Sequence, residues 1–240
     1  MKRMRKMKKA LLILLSLTLM LSLAGCSSIM GMLGDESDRM SAYVQGYLDM
    51  TYKGQFNEEY MDELDLTEEE AKEMYEQGLL VEAQFFENAI GLIEYPTEES
   101  TQRLVDLYAR IYSYSDYTVE SSTMMESGNY AVEVSFRPID IMTRFSPEQF
   151  NEVFVDVLDE FGVHTEEELA AMSEEDYIKA DGIYAQRIMD MVEEAIPGTG
   201  NGAERSVVVQ IQDTGDYWSP VQEDLDNIDN YLIDYSTFGY

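Results

Sequence analysis

Short acidic stretches that begin with serine or threonine recur along the chain and limit the choice of fold. They start at Thr67, Thr97, Ser146, Thr165, Ser173 and Ser219. Glu or Gln three residues after the hydroxyl residue is the capping box of a helix N-terminus. Four of the stretches fit this pattern: Thr67 with Glu70, Ser146 with Gln149, Thr165 with Glu168, and Ser219 with Gln222. We expect a helix at each of these points and favour capping over a calcium site, because the stretches lack the D-x-[DN]-x-[DN]-G loop.

Apolar residues with helical spacing follow these starts. The predicted stripes comprise Met40, Val44, Tyr47 and Leu48; Met74, Val81, Phe85, Ala89 and Leu92; Leu104, Leu107, Tyr108 and Ile111; Phe150, Phe154, Val157 and Phe161; Tyr177, Tyr184, Ile188, Met191 and Ala195; and Leu225, Ile228, Leu232 and Tyr235. Gly162 is a natural C-terminal stop for the fourth stripe. We interpret the stripes as buried helix faces and not as cofactor sites.

Two regions change to an alternating pattern, which indicates strands. Residues 117–125 and 130–137 flank a turn signal, and Val207, Val209 and Ile211 share one face of a third strand over residues 205–213. Strands with one apolar face need helices to cover it. The predicted class is α+β: a small antiparallel sheet of about three strands packed against several helices, a helical insertion near 146–196 before the last strand, and a C-terminal helix.

The N-terminus has the layout of an export signal. Six basic residues precede an apolar run over residues 10–23, which is short for a spanning helix of about 20 residues. The run ends in Leu23-Ala24-Gly25-Cys26, which resembles the bacterial lipobox. The resemblance implies cleavage between Gly25 and Cys26 and a diacylglyceryl group, with acyl chains such as palmitate, on the Cys26 thiol. The alternative is an N-terminal membrane anchor that is never cleaved.

The predicted domains follow from this signal. Residues 1–25 form the lipoprotein signal peptide, residues 26–36 a lipidated tether, and residues 37–240 a single acidic α+β domain. Two acyl chains hold a protein stably on a bilayer, so we expect the protein on the outer face of the cytoplasmic membrane. Cys26 is the one cysteine of the chain, so the lipidated protein would have no disulfide and no cysteine nucleophile.

The acidity of the body excludes some partners. The full chain has a net charge of −32, and loss of the six basic residues of the signal makes it −38. Phosphate contacts need clustered cations, so we expect no nucleic-acid partner. Anionic lipid would repel the body within about 8 Å. The charge is either a solvated surface, which we favour, or a device that attracts cationic partners.

Four features together resemble surface lipoproteins of low-GC Gram-positive bacteria. They are the box at Cys26, the segment Val44–Phe56, the hairpin at 117–137 and the segment Asp213–Pro220. The resemblance implies an NTF2-like or cystatin-like domain with no known activity. It carries over Cys26 and no catalytic residue. The insertion near 146–196 departs from a compact NTF2-like layout.

Few residues point to catalysis. His164 is the sole histidine and falls in a predicted helix–helix turn, where a structural role is favoured over a catalytic base. The chain has no HExxH, G-x-S-x-G, P-loop or G-x-G-x-x-G motif. We therefore predict no metal, no cofactor and no catalytic residue. Trp218 and the tyrosines at 108, 112, 114 and 117 are interpreted as core, although they are also candidates for stacking on a ligand or lining a pocket.

The predicted function is a non-enzymatic, lipid-anchored module that binds a protein, a peptide or an envelope component. One alternative is a solute-binding lipoprotein of a transporter, which usually has two lobes of alternating strands and helices. Another is an envelope hydrolase that uses paired carboxylates. With 48 Asp and Glu residues, no particular carboxylate pair can be chosen without geometry.

Overall fold

The computed structural model describes residues 36–215 and 218–240. The α-helices of these ranges are α1 Glu36–Lys53, α2 Glu58–Glu63, α3 Glu68–Phe85, α4 Glu98–Tyr112, α5 Pro147–Glu160, α6 Glu166–Ala171, α7 Glu174–Ala195 and α8 Gln222–Leu232. The strands are β1 Asp116–Val119, β2 Thr123–Met124, β3 Tyr130–Arg137, β4 Arg205–Asp213 and β5 Trp218–Pro220. A π-helical turn, Phe86–Ile90, follows α3. Short 3-10 turns cover Ile141–Arg144, Ile196–Gly198 and Ser236–Phe238.

The described residues divide into two compact units. The first unit comprises residues 36–78, 112–139 and 201–233, and the second comprises residues 79–111, 140–200 and 234–240. The predicted helical insertion near 146–196 therefore lies wholly within the second unit. Cys26, the signal peptide and the tether up to residue 35 lie outside the described residues. No helix in residues 36–215 or 218–240 has the length and apolar content needed to cross a membrane.

An antiparallel sheet is the centre of the first unit. Its strand order is β1-β3-β4-β5, and β2 also pairs with β3. Alternate residues of β3 are buried, as the period-two pattern predicts: Tyr130, Val132, Val134 and Phe136. α1 packs on β1 and β3, and α8 packs on β4. The α+β class is therefore confirmed, including the C-terminal helix.

The sheet has more strands than the sequence predicted. The expected count was about three, and the described residues form five. The predicted arm 117–125 is divided into two strands, β1 and β2, and β5 is a further strand of 3 residues. A strand as short as β5 carries too few residues to display an alternating pattern. The predicted hairpin turn is present, with Met125 N–H donating to the Asn129 carbonyl and Gly128 at a φ of 90°.

The helix-start predictions succeed at most of the marked positions. Thr67 with Glu70 and Ser146 with Gln149 form reciprocal capping boxes. The Thr165 hydroxyl accepts the Glu168 N–H, while the Glu168 carboxylate accepts the His164 N–H. The prediction at Ser219 is wrong. Ser219 lies in β5, where it pairs with Gln212 of β4, and α8 begins three residues later, after Val221.

The second unit is mainly helical. α5 and α7 pack on each other, and α4 buries the predicted set Leu104, Leu107, Tyr108 and Ile111. The stripe predicted for α3 and the π-helical turn is wrong in register. Four of its members, Met74, Val81, Phe85 and Ala89, are half-buried, and the fifth, Leu92, is 65% exposed. The buried residues of this segment are instead Leu79, Glu82, Ala83, Phe86, Glu87 and Ile90. The correction matters because it places two carboxyl side chains in the interior.

Candidate functional site

A groove lies between α1 and α2, within the first unit. We call it the α1–α2 groove. Its cavity measures about 200 Å³, and it is lined by Asp38, Arg39, Ala42, Tyr43, Asn57, Glu59, Tyr60 and Glu63. This volume suits one side chain or a small polar group and not a cofactor, since pockets for drug-sized ligands measure about 300–1,000 Å³.

The turn between the two helices contains two residues with defined local roles. Gly54 follows the end of α1 with a φ of 58°, a conformation that glycine adopts without strain. Asn57 then caps α2, because its side-chain oxygen accepts the N–H of Tyr60. The Tyr60 ring of α2 lies so close to Gly46 of α1 that a Cβ added at Gly46 would be 2.4 Å from Cγ of the ring. The small residue therefore lets α2 approach α1.

One ion pair crosses the groove. The Arg39 guanidinium donates hydrogen bonds to both carboxylate oxygens of Glu63, with Nε 3.3 Å from Oε2. The hydrogen bond to Glu63 raises the pKa of Arg39, which stays charged. Asp38 and Glu59 also line the groove, and no salt bridge involves either of them among the described residues. The groove therefore has an excess of negative charge that Arg39 does not balance.

Two tyrosines form the apolar wall of the groove. The rings of Tyr43 and Tyr60 meet edge to face with their centroids 5.4 Å apart. The Tyr60 hydroxyl is buried and has no hydrogen-bond partner among the described residues. Burial raises the pKa of Tyr60, and the neighbouring Tyr43, Tyr47 and Glu63 raise it further. The wall is thus aromatic, and the Tyr60 hydroxyl is buried without a partner among the described residues.

The described residues that the sequence singled out do not line the α1–α2 groove. Cys26 and Gly25 lie outside the described residues. His164 lies in the turn between α5 and α6, as predicted, with its Nδ1 2.9 Å from Oδ1 of Asp159. Trp218 lies in β5, where its ring meets the Tyr130 ring edge to face at 5.3 Å between centroids.

The four clustered tyrosines are divided between the two units. Tyr108 belongs to the second unit, where its hydroxyl lies 2.8 Å from that of Tyr235. Tyr112, Tyr114 and Tyr117 belong to the first unit, and Tyr52 packs on both Tyr112 and Tyr117. None of the four lines the α1–α2 groove. Tyr108 and Tyr112 are buried, as the core interpretation predicts.

Three carboxyl side chains are buried in the second unit. Asp181 of α7 is 2% exposed and accepts the backbone N–H groups of Glu94 and Tyr95. Glu87 is 3% exposed and accepts a hydrogen bond from the Thr101 hydroxyl at 2.5 Å, while burial raises its pKa. Glu82 is also buried. In the described part of the chain, no three His, Cys, Asp or Glu side chains are grouped so that they could hold a metal ion.

The sequence analysis did not identify the α1–α2 groove. A signal is present in the sequence, because Gly54 and Asn57 separate two helical segments that both carry tyrosine. The pattern did not reveal that Tyr60 packs on Gly46, since that contact depends on the angle between the helices.

Comparisons with known proteins give one structural similarity. No protein-family model and no curated protein matches the chain. The fold is similar to a crystal structure of a candidate lipoprotein, YcdA, from Bacillus subtilis subsp. subtilis strain 168, with 16% sequence identity and a TM-score of 0.49. The similarity covers 81% of this chain and 56% of that chain. At this level of identity the function has to be argued from the residues themselves.

Proposed function

We propose that the protein is a lipoprotein, held through Cys26 on the outer face of the cytoplasmic membrane, that binds a cationic segment of an envelope protein or peptide. The anchor rests on the sequence Leu23-Ala24-Gly25-Cys26 after a basic and then an apolar segment. Two acyl chains on one cysteine make a stable anchor.

The α1–α2 groove carries the binding part of the proposal. Asp38 and Glu59 offer carboxylates that no described salt bridge uses, and the mostly buried rings of Tyr43 and Tyr60 line the groove beside them. A lysine or arginine side chain matches this combination, because its stem packs on aromatic rings and its charged end pairs with carboxylates. Net negative charge would also speed the approach of a basic partner. The role requires no catalytic group.

Membrane fractionation tests the anchor. We expect the native protein in the membrane fraction, with a mass that shows a diacylglyceryl group on Cys26. The Cys26→Ala variant should lose the lipid and appear in the soluble fraction. An unmodified thiol in the native protein, or equal membrane partition of the variant, would contradict the anchor.

A peptide titration tests the groove. A fluorescent lysine-rich peptide is added to the full lipidated protein in zwitterionic vesicles, at low and at high salt. Replacing Asp38 and Glu59 by Asn and Gln should weaken binding about 5- to 30-fold at low salt, in line with the loss of one or two close charge pairs. The matched control is Glu174→Gln together with Glu166→Gln, two acids in the first turns of α7 and α6. Equal weakening by both double variants would show diffuse attraction and contradict a groove site.

A further inference from the structure

Arg39 is the only basic residue among the described residues that line the α1–α2 groove. Within the described part of the chain it donates hydrogen bonds to Glu63 alone, through Nε and Nη2. A guanidinium carries five N–H donors, so three of them have no acceptor in residues 36–215 or 218–240. The Arg39 side chain is half-buried, at 26% exposure. Arg39 therefore has donors available for an acceptor on a ligand in the groove.

A guanidinium in this protein can hold two carboxylates at once. Nη2 of Arg103, in α4, lies 2.6 Å from Oδ1 of Asp190 and 2.8 Å from Oε2 of Glu193, both in α7. Carboxylates match the planar fork of arginine better than they match the point charge of lysine. By the same chemistry, the Glu63 carboxylate leaves room on Arg39 for the carboxylate of a ligand.

The acidic residues of the groove supply the other half of the site. Glu59 lies one helical turn before Glu63 on α2, so their side chains follow each other along the helix at a spacing of about 5.4 Å. The five bonds from Cα to Nζ of a lysine span about 6 Å, at about 1.5 Å per bond in a zigzag. A lysine whose own carboxylate is on Arg39 can therefore reach Glu59 with its ammonium group, and Asp38 lines the groove from α1.

A buried hydroxyl in the same groove is also without a partner. Tyr60 lines the cavity and is 4% exposed, and its hydroxyl makes no hydrogen bond within the described residues. Buried polar groups in native proteins nearly always have a hydrogen-bond partner, and the exceptions call for an explanation such as a bound water or ion. The orphan hydroxyl therefore points to a polar occupant of this groove, independently of its charges.

We infer that the α1–α2 groove selects a peptide whose last residue is lysine or arginine with a free C-terminal carboxylate, an inference that rests on the proposed binding of a cationic segment. The terminal carboxylate pairs with Arg39, and the side-chain cation pairs with Glu59 and Asp38. The cavity of about 200 Å³ suits one terminal residue. A lysine within a chain offers only the cation and leaves the remaining donors of Arg39 unused.

The net charge of the protein favours the opposite order of binding. The chain carries a net charge of −32, so diffuse attraction favours the peptide with the larger positive charge. Converting a C-terminal carboxylate to an amide makes a peptide more positive by one charge. Diffuse attraction therefore predicts tighter binding of the amide, whereas pairing with Arg39 predicts tighter binding of the free acid.

Two short fluorescent peptides test the inference. Both consist of alanine and serine and end in a single lysine, one with a free carboxylate and the other with an amide. Each is titrated into the full lipidated protein in zwitterionic vesicles at low salt. The wild type should bind the free acid about 10-fold more tightly than the amide, near the low end of the effects of close charge pairs.

Arg39→Gln should abolish this preference, because it removes the partner of the terminal carboxylate. It should bind the amide at least as tightly as the wild type does, because Glu63 then becomes available to the cation. A half-exposed ion pair contributes little to stability, and retained binding of the amide shows that the variant is folded. The matched control is Arg187→Gln. Arg187 of α7 pairs with Glu160 of α5 at 2.6 Å, outside the groove, and its loss should leave the preference unchanged.

The outcomes separate this inference from the proposed function. A wild type that binds the lysine-rich peptide but shows no preference for the free acid would overturn the inference and leave the cation-binding groove intact. A wild type that binds neither these peptides nor the lysine-rich peptide would contradict the groove as a binding site. A preference that survives in Arg39→Gln would overturn the pairing of the carboxylate with Arg39.

Discussion

The Tyr117 hydroxyl donates a hydrogen bond of 2.7 Å to Oδ1 of Asp49, which ties β1 to α1. Lys53 adds to this contact, since its Nζ lies 4.0 Å from the centroid of the Tyr117 ring and 3.8 Å from Oδ1 of Asp49. Burial raises the pKa of Tyr117 most, and the Asp49 carboxylate raises it further. The edge strand β1 is thereby held against the helix that begins at the tether.

Replacing Tyr117 by Phe tests this contact. The variant keeps the ring under Lys53 but removes a hydrogen bond to a charged group, so we expect the free energy of unfolding to fall by about 1.5–3 kcal/mol. The control is Tyr114→Phe, three residues earlier, because the Tyr114 hydroxyl makes no hydrogen bond to a described residue. Urea denaturation measures both variants, and equal effects would show that the Tyr117–Asp49 bond contributes nothing specific.

The buried Asp181 carboxylate should stabilise the second unit by holding the loop before α4. It accepts the N–H groups of Glu94 at 3.1 Å and of Tyr95 at 2.8 Å. Asp181→Ala removes both acceptors and should cost about 2–4 kcal/mol, while Asp181→Asn keeps one acceptor oxygen and should cost about half as much. Thermal denaturation compares the variants, and a harmless Asp181→Ala would contradict this role.

Sequence patterns predict the elements whose signal repeats over many residues. The buried faces of β3 and α4 and the boundaries of β4 agree with prediction, because each spans 8 residues or more of regular alternation or helical spacing. In α3 the pattern is ambiguous, since Leu79 and Leu80, and again Phe85 and Phe86, place apolar residues on adjacent faces. The structure resolves the ambiguity by burying Glu82 and Glu87, which no hydrophobic pattern would choose.

Two serines that look alike in sequence should respond differently to alanine. Ser146 and Ser219 each precede proline and each have glutamine three residues later. Only Ser146 forms the reciprocal capping box, whereas Ser219 lies in β5. We expect Ser146→Ala to cost about 1 kcal/mol and Ser219→Ala to stay within about 0.5 kcal/mol. Chemical denaturation of the two variants checks this difference, and a larger loss at Ser219 would argue for a cap there.

Two helical glycines form a second matched pair. A Cβ at Gly46 would meet the Tyr60 ring, whereas a Cβ at Gly78 would meet nothing within 4 Å. Gly46→Ala should therefore lower the free energy of unfolding by about 1–3 kcal/mol through overpacking. Gly78→Ala should raise it by about 0.5–1 kcal/mol, because alanine favours the helix.

The same pair bears on the α1–α2 groove. Because Tyr60 lines the groove, Gly46→Ala should also weaken the binding of the lysine-rich peptide. Gly78→Ala should leave peptide binding unchanged. A Gly46→Ala variant that binds as the wild type does would separate the groove from the contact between Tyr60 and Gly46.

Buried tyrosines make the stability of the protein sensitive to high pH. Burial holds the pKa values of Tyr60 and Tyr108 well above the ordinary value, while unfolded tyrosine ionises near pH 10. The folded protein therefore keeps protons that the unfolded chain releases. Below about pH 10 these tyrosines are protonated in both states and do not lower the free energy of unfolding. Above pH 10 each such tyrosine lowers the free energy of unfolding by about 1.4 kcal/mol per pH unit.

Tyr60→Phe isolates one of these residues. The Tyr60 hydroxyl is buried without a partner, so its removal should raise the free energy of unfolding at pH 7 by about 1 kcal/mol. Above pH 10 the variant should lose stability less steeply than the wild type, by about 1.4 kcal/mol per pH unit. Urea denaturation at pH 7 and at several values above 10 measures both effects. An unchanged slope would mean that Tyr60 ionises in the folded protein, and that its hydroxyl reaches water through the α1–α2 groove.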